Sequence, residues 1–518
     1  MKKIKNLTFI MIISVLVGLF SGCGDVTESK GDKNQNGNLS INGGKPVTLT
    51  VNFDCYVPSI DQEISPENPF VFSSTQKIIN EFTSMYPNVT VVVDRSSPIS
   101  GKNLVESLTQ WITPRIAAGT APDLAVNLAG PVFFGSKGWF MDMKEEMEKP
   151  NQYVSGNEKW RDLYPDYFFT DRMVESLKGE YLGVPYMMAA GPKSCYFYNK
   201  EIFTKLNLTP PKTWEEFMKM AELINSKGYI AIAAQPGNRI LTPVVWDMQF
   251  SIGPAINNML FDSLDYSKDG SVDSAERLRM ILEGYMNPLK HSYVMDGYEQ
   301  VKRKYDMFPK GYQNTDFDPL WDQGQVAMLE DSMFRLPTEL SNTNRKFEFG
   351  MFPPPMLSND TYDYLPAAEY TEKGPDKPDL YNVWSILTPS VEAHGAGTKE
   401  AAVEFLKLMS TPDNITAVVL EMRGANLGAV KGSVVPPELT EWLQMSFPKH
   451  KNSVEWAPVR TPENTLDLDK AFEQWMLGSM NKNDFMKIYR NLSVRDAYAL
   501  IESGEIDTSG WSITEKQE

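Results

Sequence analysis

The chain has 518 residues, with 67 aspartates and glutamates against 50 lysines and arginines and a formal net charge of −17. So acidic a surface excludes nucleic acid and the anionic face of a membrane as partners, because both would repel it. The length is too great for one hydrophobic core, so two domains are expected.

At the amino terminus Lys2, Lys3 and Lys5 precede an apolar run from Leu7 to Phe20. The run is shorter than the roughly 20 residues needed to span a bilayer, and it closes on Ser21, Gly22 and Cys23. This pattern reads as an export signal over residues 1–22. The small residues before Cys23 resemble the lipobox of bacterial lipoproteins, although Phe20 stands where leucine is usual. The resemblance implies that Cys23 is acylated and anchors the chain to the outer face of the cytoplasmic membrane. Plain secretion with cleavage at another small residue is the alternative. Residues 23–45 are polar and glycine-rich, with too little apolar surface to order them, and read as a flexible tether.

Alternation then begins. Val47, Leu49, Val51 and Phe53 share one parity, as do Val89, Val91 and Val93, so both stretches are predicted strands. Between them Ile78, Ile79 and Phe82 fall at helical spacing before Pro87, giving a strand–helix–strand unit with a right-handed crossover. Residues 108–130 continue with a helix, a turn at Gly119–Pro122 and a short buried strand, which makes the class α/β. Thr213 and Glu216 form a predicted capping box for a helix with Phe217, Ala221 and Ile224 on its apolar face and Gly228 as its stop. A second such helix carries Ala402, Phe405, Leu406 and Met409. The Pro-rich stretch Phe352–Met356 reads as a rigid connection between domains. Cys55 and Cys195 remain after Cys23; an oxidising exterior permits them to pair, but spacing does not show that they meet.

Residues 265–276 carry oxygen-bearing side chains at positions one (Asp265), three (Ser267), five (Asp269), nine (Asp273) and twelve (Glu276), with Gly270 at six and the Ser271 carbonyl at seven. This is the EF-hand spacing for Ca2+, with serine where position three usually has Asp or Asn. Ile256, Met259 and Leu260 predict an incoming helix, and Leu278, Ile281, Leu282 and Tyr285 an outgoing one. An Asp-Gly hairpin is the plainer reading, but it needs flanking alternation that is absent. A lone loop of this kind is expected to be structural rather than a switch.

Four segments, 117–126, 181–217, 321–334 and 398–409, resemble in order and spacing the family 1 extracellular solute-binding proteins, the receptors of carbohydrate ABC importers. The length and the helix-flanked calcium loop are most similar to receptors for alginate and other uronic-acid oligosaccharides. The resemblance implies a two-lobed periplasmic-binding-protein fold with interleaved lobes and a hinge. Residues 46–190 and 355–420 would form lobe 1, and 191–354 with 421–518 lobe 2, which holds the calcium loop. It also implies a monomer that passes an oligosaccharide unmodified to permease subunits.

Carried over by position, Asn127 lies at a strand end lining the family's cleft and Phe334 where a stacking aromatic is common. Glu330, Asp331 and Arg335 are then placed to reach hydroxyls or an acidic substituent. From the residues themselves, Asp54 and Tyr56 follow the first strand, at the carboxyl end where open α/β sheets bind ligands. Tyr186, Trp246 and Trp384 offer flat faces, for a sugar or for a core. The acidic ligand position of maltose-type members is Pro192 here, flanked by Lys193, so maltose specificity does not carry over.

Two other readings share parts of this pattern. A ligand-presenting lipoprotein for a membrane sensor would have the same fold and cleft. An exported glycoside hydrolase or lyase would need opposed carboxylates about 5 Å apart, whereas Glu330 and Asp331 are adjacent and point apart. His291, His394 and His450 are scattered without zinc spacing, and no phosphate-binding loop is present. The chain is therefore expected not to be an enzyme.

Overall fold

The computed structural model describes residues 40–517 except 60–61, 97–103, 127–136, 172, 235–245, 271, 313–314 and 452–461. The export signal, Cys23, Asn127 and Ser271 therefore lie outside the described residues, and of the tether only 40–45 is described.

Six strands form the first sheet: β1 (Val47–Asn52), β2 (Val89–Asp94), β3 (Leu124–Val126), β4 (Val184–Met188), β9 (Leu380–Ile386) and β10 (Leu427–Gly428), in the order β10-β4-β9-β3-β1-β2. β1 runs parallel to β2 in the register Val47↔Val89 and parallel to β3, whereas β9 and β10 pair antiparallel with their neighbours. The predicted strand–helix–strand unit is present: Ser73–Met85 connects β1 to β2 and buries Ile78, Ile79 and Phe82. Four strands form the second sheet: β5 (Ser194–Asn199), β6 (Ile230–Ala234), β7 (Val326–Ser332) and β8 (Phe349–Phe352), in the order β6-β7-β5-β8. Helix Trp214–Ser226 covers it, with the predicted capping box formed in both directions and Phe217, Ala221 and Ile224 buried.

Each sheet has its own core. Leu49, Val51, Phe405 and Leu406 belong to the first, and Phe217, Ile256, Leu278 and Tyr489 to the second. The stretch expected to re-enter lobe 1 at residue 355 stays with the second body. Met356 bridges to Thr213, and Met356, Leu357 and Leu365 are buried in the second core. Their apolar side chains hold the Pro-rich segment down, so the chain reaches the first sheet only at β9. Beyond the expected boundary at 420, β10 still pairs with Met187 and Met188 of β4. The bodies thus interleave as expected, with later crossing points. Cys55 and Cys195 are both free thiols, so the permitted disulfide is not formed.

The bodies also meet through a turn beside the crossings. A turn held by the bridge Glu175↔Tyr181 projects from the first body, Leu177 packs on the second core, and Lys178 lies 3.1 Å from Glu505 at the end of helix Lys482–Gly504. The base of that turn is tight. A Cβ on Gly183 would stand 2.4 Å from the Met173 carbonyl oxygen and 3.1 Å from Val383. Backbone cannot yield as a side-chain tip does, so Gly183→Ala should destabilise by about 1–3 kcal/mol. A melting temperature within a degree of the parent would refute this.

Candidate functional site

A cavity of about 140 Å³ opens where the chain crosses between bodies. The crossing Gly191–Lys193, the approach to β9 (Pro375–Asp379) and Phe447–His450 meet there. The first body adds Tyr167 and Asp171; the second adds Gln249, Phe250 and Arg277. Gly191 has φ 152, and a Cβ there would come within 2.7 Å of the Phe447 ring, so glycine lets two crossings touch. Lys193, Arg277 and Lys377 line the cavity together with Asp171, Asp376 and Asp379, a rim able to bind hydroxyls as donor and as acceptor. Burial pushes the His450 imidazole down to about 4. It is therefore neutral at pH 7, with a buried Nδ1 that has no partner among the described residues.

Lys193 leads from this cavity to an aromatic ledge. Its Nζ lies 5.7 Å from the Tyr381 ring centroid, Tyr381 packs on Phe334 at 5.2 Å, and Phe334 packs edge-on against Phe70 at 5.8 Å. All three rings are half-buried. Phe70 and Tyr381 come from the first body and Phe334 from the second, so the ledge spans the division. Burial and then the charges of Cys55, Asp331 and Asp54 hold the Tyr381 hydroxyl above its usual range, which puts those groups at the ledge's edge. Cys55 is exposed; desolvation and then Asp54 push its thiol up. Asp54 itself holds φ 50, a conformation Asp tolerates better than most residues.

Asp331 is buried at 4% exposure. Burial pushes its carboxyl up to about 7, with Arg335 opposing. Its Oδ2 has no hydrogen bond among the described residues, and the Arg335 guanidinium is 4.0 Å away.

The other predicted contacts sit elsewhere. Tyr56, Tyr186 and Trp384 are at most 1% exposed, packed ring on ring at 5.1 and 5.3 Å in the first core. The pairing of β4 with β9 places Val184 opposite Trp384 and seals that face. The Tyr56 hydroxyl accepts hydrogen bonds from the Asn382 and Asn426 amides at 3.1 and 3.3 Å. Arg335 donates Nε to Glu339 at 2.6 Å and Nη1 to Asp318 at 2.7 Å. Glu330 is enclosed with Lys304 and Asp247, and Trp246 is half-buried just before Asp247.

Sequence reasoning missed Phe70, Tyr381, Gln249, Phe250 and Arg277. For one of them a signal existed: Tyr381 and Trp384 are an odd number of residues apart on one strand, so they face opposite sides.

A profile of the bacterial extracellular solute-binding proteins matches residues 71–416. The chain belongs to that family. Membership makes it an exported solute-binding protein, and the family and its structural neighbours are binding proteins rather than enzymes. One similar structure is a chitin oligosaccharide binding protein, at 16% identity and TM-score 0.54 over 89% of this chain and 100% of that one. RafE in complex with raffinose matches at 15% and 0.53 over 87% and 100%. An ABC transporter solute-binding protein from Thermotoga lettingae, bound with α-D-tagatose, matches at 15% and 0.54 over 88% and 100%. At such identities the likeness shows the two-lobed α/β fold. No curated protein sequence matches the chain. Among the described residues no helix is long and apolar enough to cross a membrane.

In this solute-binding protein the acidic loop is helix-bracketed as predicted, between Gly253–Leu264 and Ser274–Leu282. Gly270 turns the loop at φ 85. The buried Asp265 carboxylate accepts the Asp269 and Gly270 amides at 3.2 and 3.0 Å. Glu276 accepts those of Ser267 and Asp273 at 2.7 and 3.1 Å. Carboxylates and a hydroxyl are the donor types a hard, oxygen-seeking cation takes. Asp265 and Glu276 are turned to the loop's own amides, and no three acidic, histidine or cysteine groups converge among the described residues.

Proposed function

We propose that this solute-binding protein is the extracytoplasmic receptor of a carbohydrate ABC importer. It grips an oligosaccharide between its bodies and hands it over unmodified to permease subunits. The observation that carries the reading is the ledge of Phe70, Tyr381 and Phe334, built from both bodies beside a cavity with a mixed-charge rim. Sugar rings stack on such faces while their hydroxyls find charged and amide partners. The names of the neighbours, which bind chitin oligosaccharide, raffinose and tagatose, point to the same ligand class. The protein acts as a monomer held to the membrane through acylated Cys23. Asp265, Ser267, Asp269, Ser271, Asp273 and Glu276 hold a structural Ca2+ that braces the two helices of the loop.

Thermal melting against chito-, xylo-, raffinose-type and uronic-acid oligosaccharides, with and without a chelator, tests this. A ligand at 100 times its Kd stabilises the folded state by about 2.7 kcal/mol, so a cognate sugar raises Tm by several degrees. Silence across the panel, or shortened sugars after incubation, refutes the receptor. A chelator should lower Tm and leave sugar affinity unchanged; collapse of affinity would overturn the structural role of the ion.

A further inference from the structure

Lys304 is wholly buried in helix Ser292–Tyr305. Its ammonium donates to both Asp247 oxygens at 2.7 and 2.8 Å and to Glu330 Oε2 at 2.5 Å. Asp247 and Glu330 are 1% and 2% exposed. Tyr196 of β5 and Tyr305 face the same ammonium, with ring centroids 5.4 and 5.8 Å from it.

Each partner of Lys304 leads to a different part of the site. Asp247 opens the π-helical segment Asp247–Ile252, whose Gln249 and Phe250 line the cavity, and Trp246 stands just before it. Such wide turns interrupt ordinary helices mostly at functional sites. Met248 and Ile252 of the same segment pack into the second core with Val301 and Tyr298 of the lysine's helix. Glu330 lies on β7, one residue before Asp331 and four before Phe334 of the ledge. One ammonium therefore ties the cavity wall to the strand that leads into Phe334 of the ledge.

We infer that Lys304 is a positioning residue for ligand binding, fixing, through Asp247 and Glu330, the π-helical cavity wall against the strand that leads into Phe334. The inference rests on the reading of the cavity and ledge as the ligand site. Two carboxylates share one ammonium away from water, and an unpaired buried charge is costly, so the cluster keeps a proton. Burial, opposed by Lys304 and reinforced by Glu330, pushes the Asp247 carboxyl up to about 8. While one of the two carboxylates keeps its proton the cluster is neutral overall. Once both are ionised, above that pH, it carries a net negative charge, and the wall loosens. Affinity should therefore fall as pH rises through 8. The folded pKa lies above the unfolded one, so this group's contribution to stability also declines between about pH 4 and 8. His450 titrates far below this window, and Asp331, at about 7, contributes a separate step.

The test uses the whole protein. Trp246 fluorescence, taken as parent minus Trp246→Phe, should show a transition near pH 8 that Asp247→Asn abolishes. For the panel sugar with the largest melting shift, the dissociation constant should rise severalfold between pH 7 and 9 in the parent. Asp247→Asn should lose that rise while keeping any Asp331 step near 7. Lys304→Met should weaken sugar binding at least tenfold at pH 7. If that variant does not fold, Asp247→Asn decides alone. A pH-independent Trp246 signal, or an Asp247→Asn titration matching the parent, overturns the inference. If no sugar binds but the fluorescence step appears and depends on Asp247, the cluster stands and the receptor reading fails.

Discussion

Replacing Glu339 by alanine should cost about 3–5 kcal/mol, the penalty for stranding a buried charge. Its side chain has no exposure and accepts three hydrogen bonds: Arg335 Nε at 2.6 Å, Arg345 Nε at 3.0 Å and Trp321 Nε1 at 3.1 Å. Without it Arg335, 5% exposed, keeps Asp318 as its close partner, and that carboxylate is itself 45% exposed. Urea unfolding monitored on the second body measures the loss. A cost below about 1 kcal/mol, the range of exposed ion pairs, would refute the argument. Arg335→Ala should then change stability far more than sugar affinity.

The second large effect separates two aromatic residues. Trp384→Ala removes a ring that is 1% exposed and meets Phe53 at 5.4 Å and Tyr186 at 5.3 Å, so it should destabilise by about 3–5 kcal/mol. Phe334→Ala removes a half-buried ledge ring. It should cost less stability but weaken sugar binding by about 1–3 kcal/mol, roughly 5- to 150-fold. Paired denaturation and calorimetric titration decide between them. If Trp384→Ala left stability intact and abolished binding, the assignment of core and ledge would be reversed.

What the sequence revealed followed the range of its signals. Period-two alternation marked β1 and β2, and Thr213 with Glu216 announced a helix start, because those patterns are local. Asp265 to Glu276 announced a helix-bracketed loop for the same reason. The later crossing was not legible: FPPPM signals stiffness, while Met356, Leu357 and Leu365 say only that they will be buried, not under which sheet. Glu330 was legible as a carboxylate on a strand, but its partners lie 26 residues away, in Lys304, and farther still in Asp247. Nor did anything local show that Phe70 and Tyr381 meet Phe334, since that contact exists only once two bodies face each other.

The turn bearing Leu177 and Lys178 gives the bodies a further attachment beside the interwoven strands. A door fixed at two places along its edge can swing but cannot slide or wobble. If the bodies open, rotation is the expected motion, because sliding would first break the Leu177 packing and the Lys178–Glu505 pair.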